Sequence, residues 1–169
     1  LMFTRDEIVA LVAGARMVRA FGGAAMARAA EEALVKIRAV LPDSEKDRIA
    51  RTEIHTPMWV VSDADRAAID LIERAVESRT VLKLDYRDEA GRSSMREVRP
   101  LGLWFWGKVW TLVGWCEMRE SFRAFRIDRI ASVTGSDRTF KPEKGKLLAD
   151  FYRTMERSGQ DGPPRAREG

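Results

Sequence analysis

The hydrophobic period changes partway along the chain, and that change constrains the fold more than any other feature. Up to Arg79 the apolar residues return every three or four positions, whereas from Leu82 they alternate. Ile8, Leu11, Val12, Ala15 and Val18 mark a first helical stripe that Gly22-Gly23 ends, and Thr4 with Glu7 three residues later predicts a capping box at its start. Met26, Ala30, Ala33, Leu34, Ile37 and Leu41 mark a second helix over 24–41, stopped by Pro42. Two long amphipathic helices of this kind pack on each other or on a partner chain. Residues 43–51 suit a short third helix. Ser62 with Asp65 predicts the start of another, in which Ala68, Ile69, Ile72, Ala75 and Val76 keep the period up to Arg79.

Beyond that point Leu82, Leu84 and Tyr86 alternate with Lys83, Asp85 and Arg87, the pattern of a half-buried strand, and residues 88–91 form a turn. Strand-like runs follow over 95–103, 109–117, 122–127 and 131–134. Short strands so closely spaced, with Gly-bearing turns such as Trp106-Gly107-Lys108, predict a small antiparallel barrel or a strongly bent sheet. Residues 147–155 suit a last helix, and from Ser158 the Gly, Pro and charged residues predict disorder. The expected organisation is therefore α+β: a helical segment over 1–57, a barrel domain over 58–140, and a C-terminal helix and tail over 141–169.

Composition removes several classes. With 169 residues and 45% hydrophobic content the chain has material for a real core, so wholesale disorder is excluded. One Cys closes no internal disulfide, and one Cys with one His cannot supply four zinc ligands of N/S type. The early apolar stretch over 8–15 is too short to span a bilayer, so a cytoplasmic protein is expected. The formal charge of +4 is spread along the chain without a basic tail, and arginine far outnumbers lysine. Arginine suits bidentate recognition of phosphates and carboxylates, although high-GC coding produces the same bias.

Enzymatic signatures are missing: the sequence holds no GxSxG, HExxH, Walker-type GxxxxGK or strand-embedded GxGxxG. His55 and Cys116 are far apart in sequence, and Cys116 shares strand parity with Trp110 and Leu112, which suits a small buried core residue. The aromatic cluster Trp104, Phe105, Trp106, Trp110 and Trp115 could stack bases. Alternation makes both faces of the run around Trp110 mostly apolar, and this favours a buried central strand. Arginine is more informative. Arg99 precedes Pro100, and Arg123, Arg126 and Arg129 fall within seven residues. They serve either structural ion pairs with Asp85, Glu97 or Asp128, or an anion pocket.

Three runs carry a family resemblance: Val98-Arg99-Pro100-Leu101-Gly102-Leu103, Phe105-Trp106-Gly107-Lys108-Val109-Trp110-Thr111-Leu112-Val113-Gly114-Trp115-Cys116-Glu117, and Phe122-Arg123-Ala124-Phe125-Arg126-Ile127-Asp128-Arg129-Ile130. In this order they closely resemble the WYL domain, the sensing part of bacterial DeoR-like helix-turn-helix transcriptional regulators. Residues 1–8 and 14–20 also resemble the helical segment that follows the DNA-binding domain in such regulators. The family takes its name from consecutive Trp, Tyr and Leu, whereas this sequence reads Trp110-Thr111-Leu112, keeping a hydroxyl and losing the ring. The resemblance implies a small Sm-like or SH3-like barrel that binds an anionic ligand, a nucleotide or single-stranded nucleic acid. By matching position it implies Arg99, Arg123 and Arg126 as anion contacts, Thr111 as a weaker polar contact, and Arg129 as either a further ligand contact or a structural residue. It further implies promoter DNA bound through an N-terminal domain outside this chain, while the Ala-rich stripes with Ala29, Ala30 and Ala33 beside Ile37 predict a homodimer through the N-terminal helices, and the missing motifs predict no enzymatic activity and no cofactor. A stand-alone Sm-like RNA-binding module is the competing expectation, and a hydrolase using His55 or an Asp is a third.

Overall fold

The computed structural model describes residues 3–42, 46, 61–106 and 109–158, which divide into two compact units, 1–67 and 68–169. Most of the helix expected over 43–51, together with His55, Gly107, Lys108 and the tail beyond Ser158, lies outside the described residues.

In the first unit, α1 (Arg5–Phe21) and α2 (Ala24–Val40) are antiparallel neighbours. The capping box forms as expected: the Glu7 amide donates to Thr4 Oγ1 at 3.4 Å, and the Thr4 amide donates to Glu7 Oε2 at 2.6 Å. Glu7 is consequently held below its ordinary carboxyl range, chiefly by the hydrogen bond from the Thr4 backbone. Gly22 ends α1 by close approach, because a Cβ there would lie 2.6 Å from the Val18 carbonyl oxygen. The two apolar stripes face each other. Val12, Leu34 and Leu41 form a buried cluster, with Ile8, Ala15 and Ile37 packed against it. Arg66 completes the C-terminus of α1 by donating to the carbonyls of Gly22 (2.6 Å), Ala20 (2.7 Å) and Arg19 (3.3 Å), groups that have no partner within the helix.

The next helix, α3 (Asp63–Ser78), starts on Ser62, whose Oγ accepts from the Asp65 amide at 3.1 Å, and buries Ile69, Ile72 and Ala75. Five strands follow: β1 (Thr80–Arg87), β2 (Ser93–Trp106), β3 (Val109–Cys116), β4 (Ser121–Arg126) and β5 (Ile130–Thr139), then α4 (Leu148–Ser158). All pairings are antiparallel, in the order β4-β3-β2-β1-β5. The strand β2 changes partner at Val98: residues before it pair with β1, those after it with β3. Pro100 lies just beyond that change and beside a bulge before Gly102, where its missing N–H costs no bond to β1. Gly114 lets the strands approach there, since a Cβ would overlap Val98 Cγ1 and come within 2.8 Å of the Arg99 carbonyl oxygen.

The sheet is strongly bent but open, and this corrects the expectation of a closed barrel. In a flat five-stranded sheet the edges would be about 19 Å apart, at roughly 4.8 Å per strand spacing. Here the 3-10 turn Ile127–Arg129 alone joins edge strand β4 to edge strand β5. Three residues at about 2 Å each cannot cover that distance, so the sheet must curl. Because β5 pairs with β1 and β4 with β3, both outer edges stay unpaired.

Both faces of the central strands are covered. Leu82, Val98 and Cys116 are in register across three strands and fully buried. On the opposite face, α4 places Phe151 and Met155 against Val113, with Trp104, Phe122 and Leu148 around them. The rings of Trp104 and Phe122 lie 5.3 and 5.7 Å from Phe151, which makes these aromatics packing residues. Among the described residues no helix is long and apolar enough to cross a membrane.

Candidate anion-binding sites

The arginines singled out in the sequence do not converge. Residues three apart on a period-two strand face opposite sides, and Arg123 pairs with Gly114 while Arg126 pairs with Thr111 in an unbroken β3–β4 register. Arg99 shares the Arg126 side nominally but pairs with Trp115, four residues along β3 from Thr111, about 13 Å at strand rise. The expectation that Arg99, Arg123 and Arg126 form one cluster on adjacent strands is thereby corrected. Thr111 is only 5% exposed, lying between Trp104 and Arg126 across the neighbouring strands, so its hydroxyl is beneath the surface.

Arg99 is the most enclosed of the set that forms described ion pairs, its side chain 18% exposed. Its Nε donates to Glu117 Oε1 at 2.7 Å, Nη2 to Glu117 Oε2 at 3.4 Å, and Nη1 to Glu143 Oε2 at 2.9 Å. The Glu117 hydrogen bond, aided by that of Glu143, raises the Arg99 pKa. Arg138 on β5 bridges Glu97 at 2.8 Å and Glu117 at 3.6 Å, while Lys146 holds Glu143 at 2.7 Å. The result is a chain of alternating charges from Glu97 to Lys146. Glu117 reaches Arg99 because it lies two residues beyond Trp115, just past the end of β3, where its amide still donates to the Glu97 carbonyl at 2.9 Å and so continues the diagonal of the antiparallel pair.

A second group surrounds the 3-10 turn. Arg126 holds Asp128 with both ends of its fork, Nε–Oδ1 at 3.0 Å and Nη2–Oδ2 at 2.6 Å, and Arg129 reaches Glu89 at 3.1 Å. The Arg126 pKa is raised by the Asp128 hydrogen bond, with Tyr86 and Glu89 adding through-space attraction, so Glu89 acts on both arginines. Tyr86 anchors the backbone here, its hydroxyl accepting from the Arg126 amide at 3.4 Å. These pairs are half-exposed, with Arg126 at 43% and Asp128 at 44%, and exposed pairs contribute only about 0–1 kcal/mol.

Sequence reasoning missed Glu117, Arg138, Glu143 and Lys146. Glu117 was recoverable from strand register; the others fall in the second half of β5 and the loop before α4, where no hydrophobic period marks them. Cys116 is buried, as a core residue would be. Among the described residues no three His, Cys, Asp or Glu side chains gather to hold a metal ion.

This architecture coincides with a family match: residues 67–134 fit the model of the WYL domain, a span that takes in most of α3, β1 to β4 and the first half of β5. Among solved structures, the chain is similar to proteasome accessory factor B/C (PafBC) of Arthrobacter aurescens, at 22% sequence identity and a TM-score of 0.47. That similarity covers 98% of this chain and 23% of the other, so the chain spans under a quarter of that protein's length.

Proposed function

We propose that the chain is the ligand-sensing part of a bacterial transcriptional regulator, and that it acts by binding rather than catalysis. The observation that carries this reading is the coincidence of the WYL domain with the Arg126–Arg129 patch, two guanidiniums held only by exposed carboxylates. A phosphate on either arginine makes a charge-assisted bond of about 1.5–3 kcal/mol, more than the exposed pair it replaces. The ligand class is a nucleotide or single-stranded nucleic acid. The curled sheet suits the Sm-like description, and the exposed side chains Leu11, Met17, Val18 and Val35 on the helical unit suit a homodimer. Promoter DNA is then bound by a helix-turn-helix domain outside this chain, in the cytoplasm.

The test is fluorescence anisotropy with short single-stranded DNA and RNA and with labelled nucleotides. Arg126→Ala and Arg129→Ala should each weaken binding roughly 10- to 100-fold, the equivalent of one lost charge-assisted bond. Saturable binding indifferent to both substitutions would overturn this assignment, as would the absence of binding to every probe.

A further inference from the structure

Two adjoining clefts, about 150 and 340 Å³, open where the end of β5 meets the loop before α4, and they share Arg99, Phe140, Lys141, Pro142 and Glu143 in their walls. Within them a carboxylate of the chain itself is held as an incoming anion would be. Glu143, 49% exposed, receives Lys146 Nζ at 2.7 Å and Arg99 Nη1 at 2.9 Å. Arg99 is meanwhile fixed from its inner side by Glu117, so its outer N–H remains aimed at the cleft.

Two further cations line the same space, Arg79 and Lys141, and neither side chain makes a hydrogen bond or ion pair among the described residues. Arg79 also has a positive φ of 54°, a conformation uncommon for a non-glycine residue, and its carbonyl accepts the Phe140 amide at 2.9 Å. Arg79 and Lys141 thus add two positive charges to a space whose carboxylates, Glu117 and Glu143, are already held by Arg99, Arg138 and Lys146. Along the two clefts five cations, Arg79, Arg99, Arg138, Lys141 and Lys146, face two carboxylates, Glu117 and Glu143, and that excess suits a tetrahedral dianion with three acceptor oxygens. Phe140, Pro100, Leu101 and Leu148 supply an apolar wall for the rest of such a ligand.

We propose that this cleft is a binding site for a small organic phosphate, whose phosphoryl group displaces the Glu143 carboxylate from Arg99 and Lys146 and draws in Arg79 and Lys141. The displaced loop is tied to α4, because Asp150 Oδ2 accepts from the amides of Gly145 at 2.8 Å and Leu147 at 3.0 Å. Ligand exchange at Glu143 is therefore felt at the start of the helix that packs on the sheet. The site is separate from the Arg126–Arg129 patch and does not depend on it.

Isothermal titration of the whole 169-residue chain with phenyl phosphate, inorganic phosphate and benzoate tests the proposal. Phenyl phosphate should bind more tightly than inorganic phosphate, which lacks the apolar body, and more tightly than benzoate, which lacks the second charge. Glu143→Gln removes the internal competitor and should tighten phenyl phosphate several-fold. The double variant Arg79→Ala/Lys141→Ala should weaken it by about tenfold or more, and neither residue holds an ion pair that folding needs. Arg126→Ala should leave this titration unchanged while weakening oligonucleotides, which separates failure here from failure of the sensing patch. No saturable binding of phenyl phosphate below about 10 mM, an affinity of under roughly 3 kcal/mol, would overturn the proposal. Binding insensitive to both Glu143→Gln and the double variant would overturn it equally.

Discussion

Replacing Arg99 with Met keeps the aliphatic length of the side chain and removes its charge, which isolates what the guanidinium contributes to the fold. Arg99 makes two short charge-assisted bonds, at 2.7 and 2.9 Å, and one long one at 3.4 Å. Each short bond is worth about 1.5–3 kcal/mol before compensation. Neither carboxylate is abandoned on removal: Glu117 retains Arg138 at 3.6 Å, and Glu143 retains Lys146 at 2.7 Å. The loss should therefore be about 2–3 kcal/mol, below the roughly 3–5 kcal/mol of stranding a fully buried charge. Arg126→Ala, which breaks one half-exposed pair, should cost at most about 1 kcal/mol. Urea unfolding followed by tryptophan fluorescence measures both, because Trp104, Trp110 and Trp115 report on the sheet. Equal losses for the two variants, or a loss under about 1 kcal/mol for Arg99→Met, would refute the reasoning that enclosure by two carboxylates makes Arg99 structural. A double-mutant cycle with Glu117→Gln should give a coupling of about 1–2 kcal/mol.

Gly114→Ala should destabilise by about 1–3 kcal/mol, because the new methyl meets Val98 and the backbone of Arg99, neither of which can withdraw from a central strand pair. Gly14→Ala, in the interior of α1 with nothing within 4 Å, should instead stabilise by about 0.5–1 kcal/mol, and thermal melting of the pair checks the opposite signs. Glu73 titrates above its ordinary value, first because burial disfavours its charge and then because Asp70 and Glu77 flank it. A raised carboxyl pKa contributes stability at low pH that is lost as pH rises through the folded value. Glu73→Gln should accordingly raise the melting temperature at pH 7 through a gain of a few tenths of a kcal/mol, about the worth of one or two like-charge helix pairs. That gain should vanish below the ordinary glutamate range.

Secondary structure was legible in the sequence because it is set by neighbours three, four or two residues away. The capping box at Thr4, the stop at Gly22-Gly23, the start at Ser62 and the switch to alternation at Leu82 all appear in the structure where the local pattern places them. The packing role of the Trp104 ring followed from the same logic, since a strand apolar on both sides is covered on both sides. The opposed directions of Arg123 and Arg126 were also legible, as three positions on a strand reverse the face. Reading them as one cluster overlooked the period.

The ends of β2 and β5 were less legible. The strand β2 runs from Ser93 on to Trp106, beyond the 95–103 expected, and β5 extends to Thr139, past its last apolar residue, because ladder partners such as Thr80 rather than side-chain character keep that polar segment extended. The charge partners lay further out of reach. Asp128 serves Arg126 from two residues away, and a local rule finds it. Glu143 reaches Arg99 across 44 residues, and Arg138 reaches Glu97 across 41. By itself the sequence determined which segments are helix or strand, which residues are apolar enough to be buried, and that arginine is concentrated around Arg126. Only the tertiary structure decided which carboxylate each guanidinium holds and that a cleft opens beside Glu143, because ion pairs form between groups the folded backbone brings within a few ångströms, and that proximity is fixed by the curl of the sheet and the path of one loop.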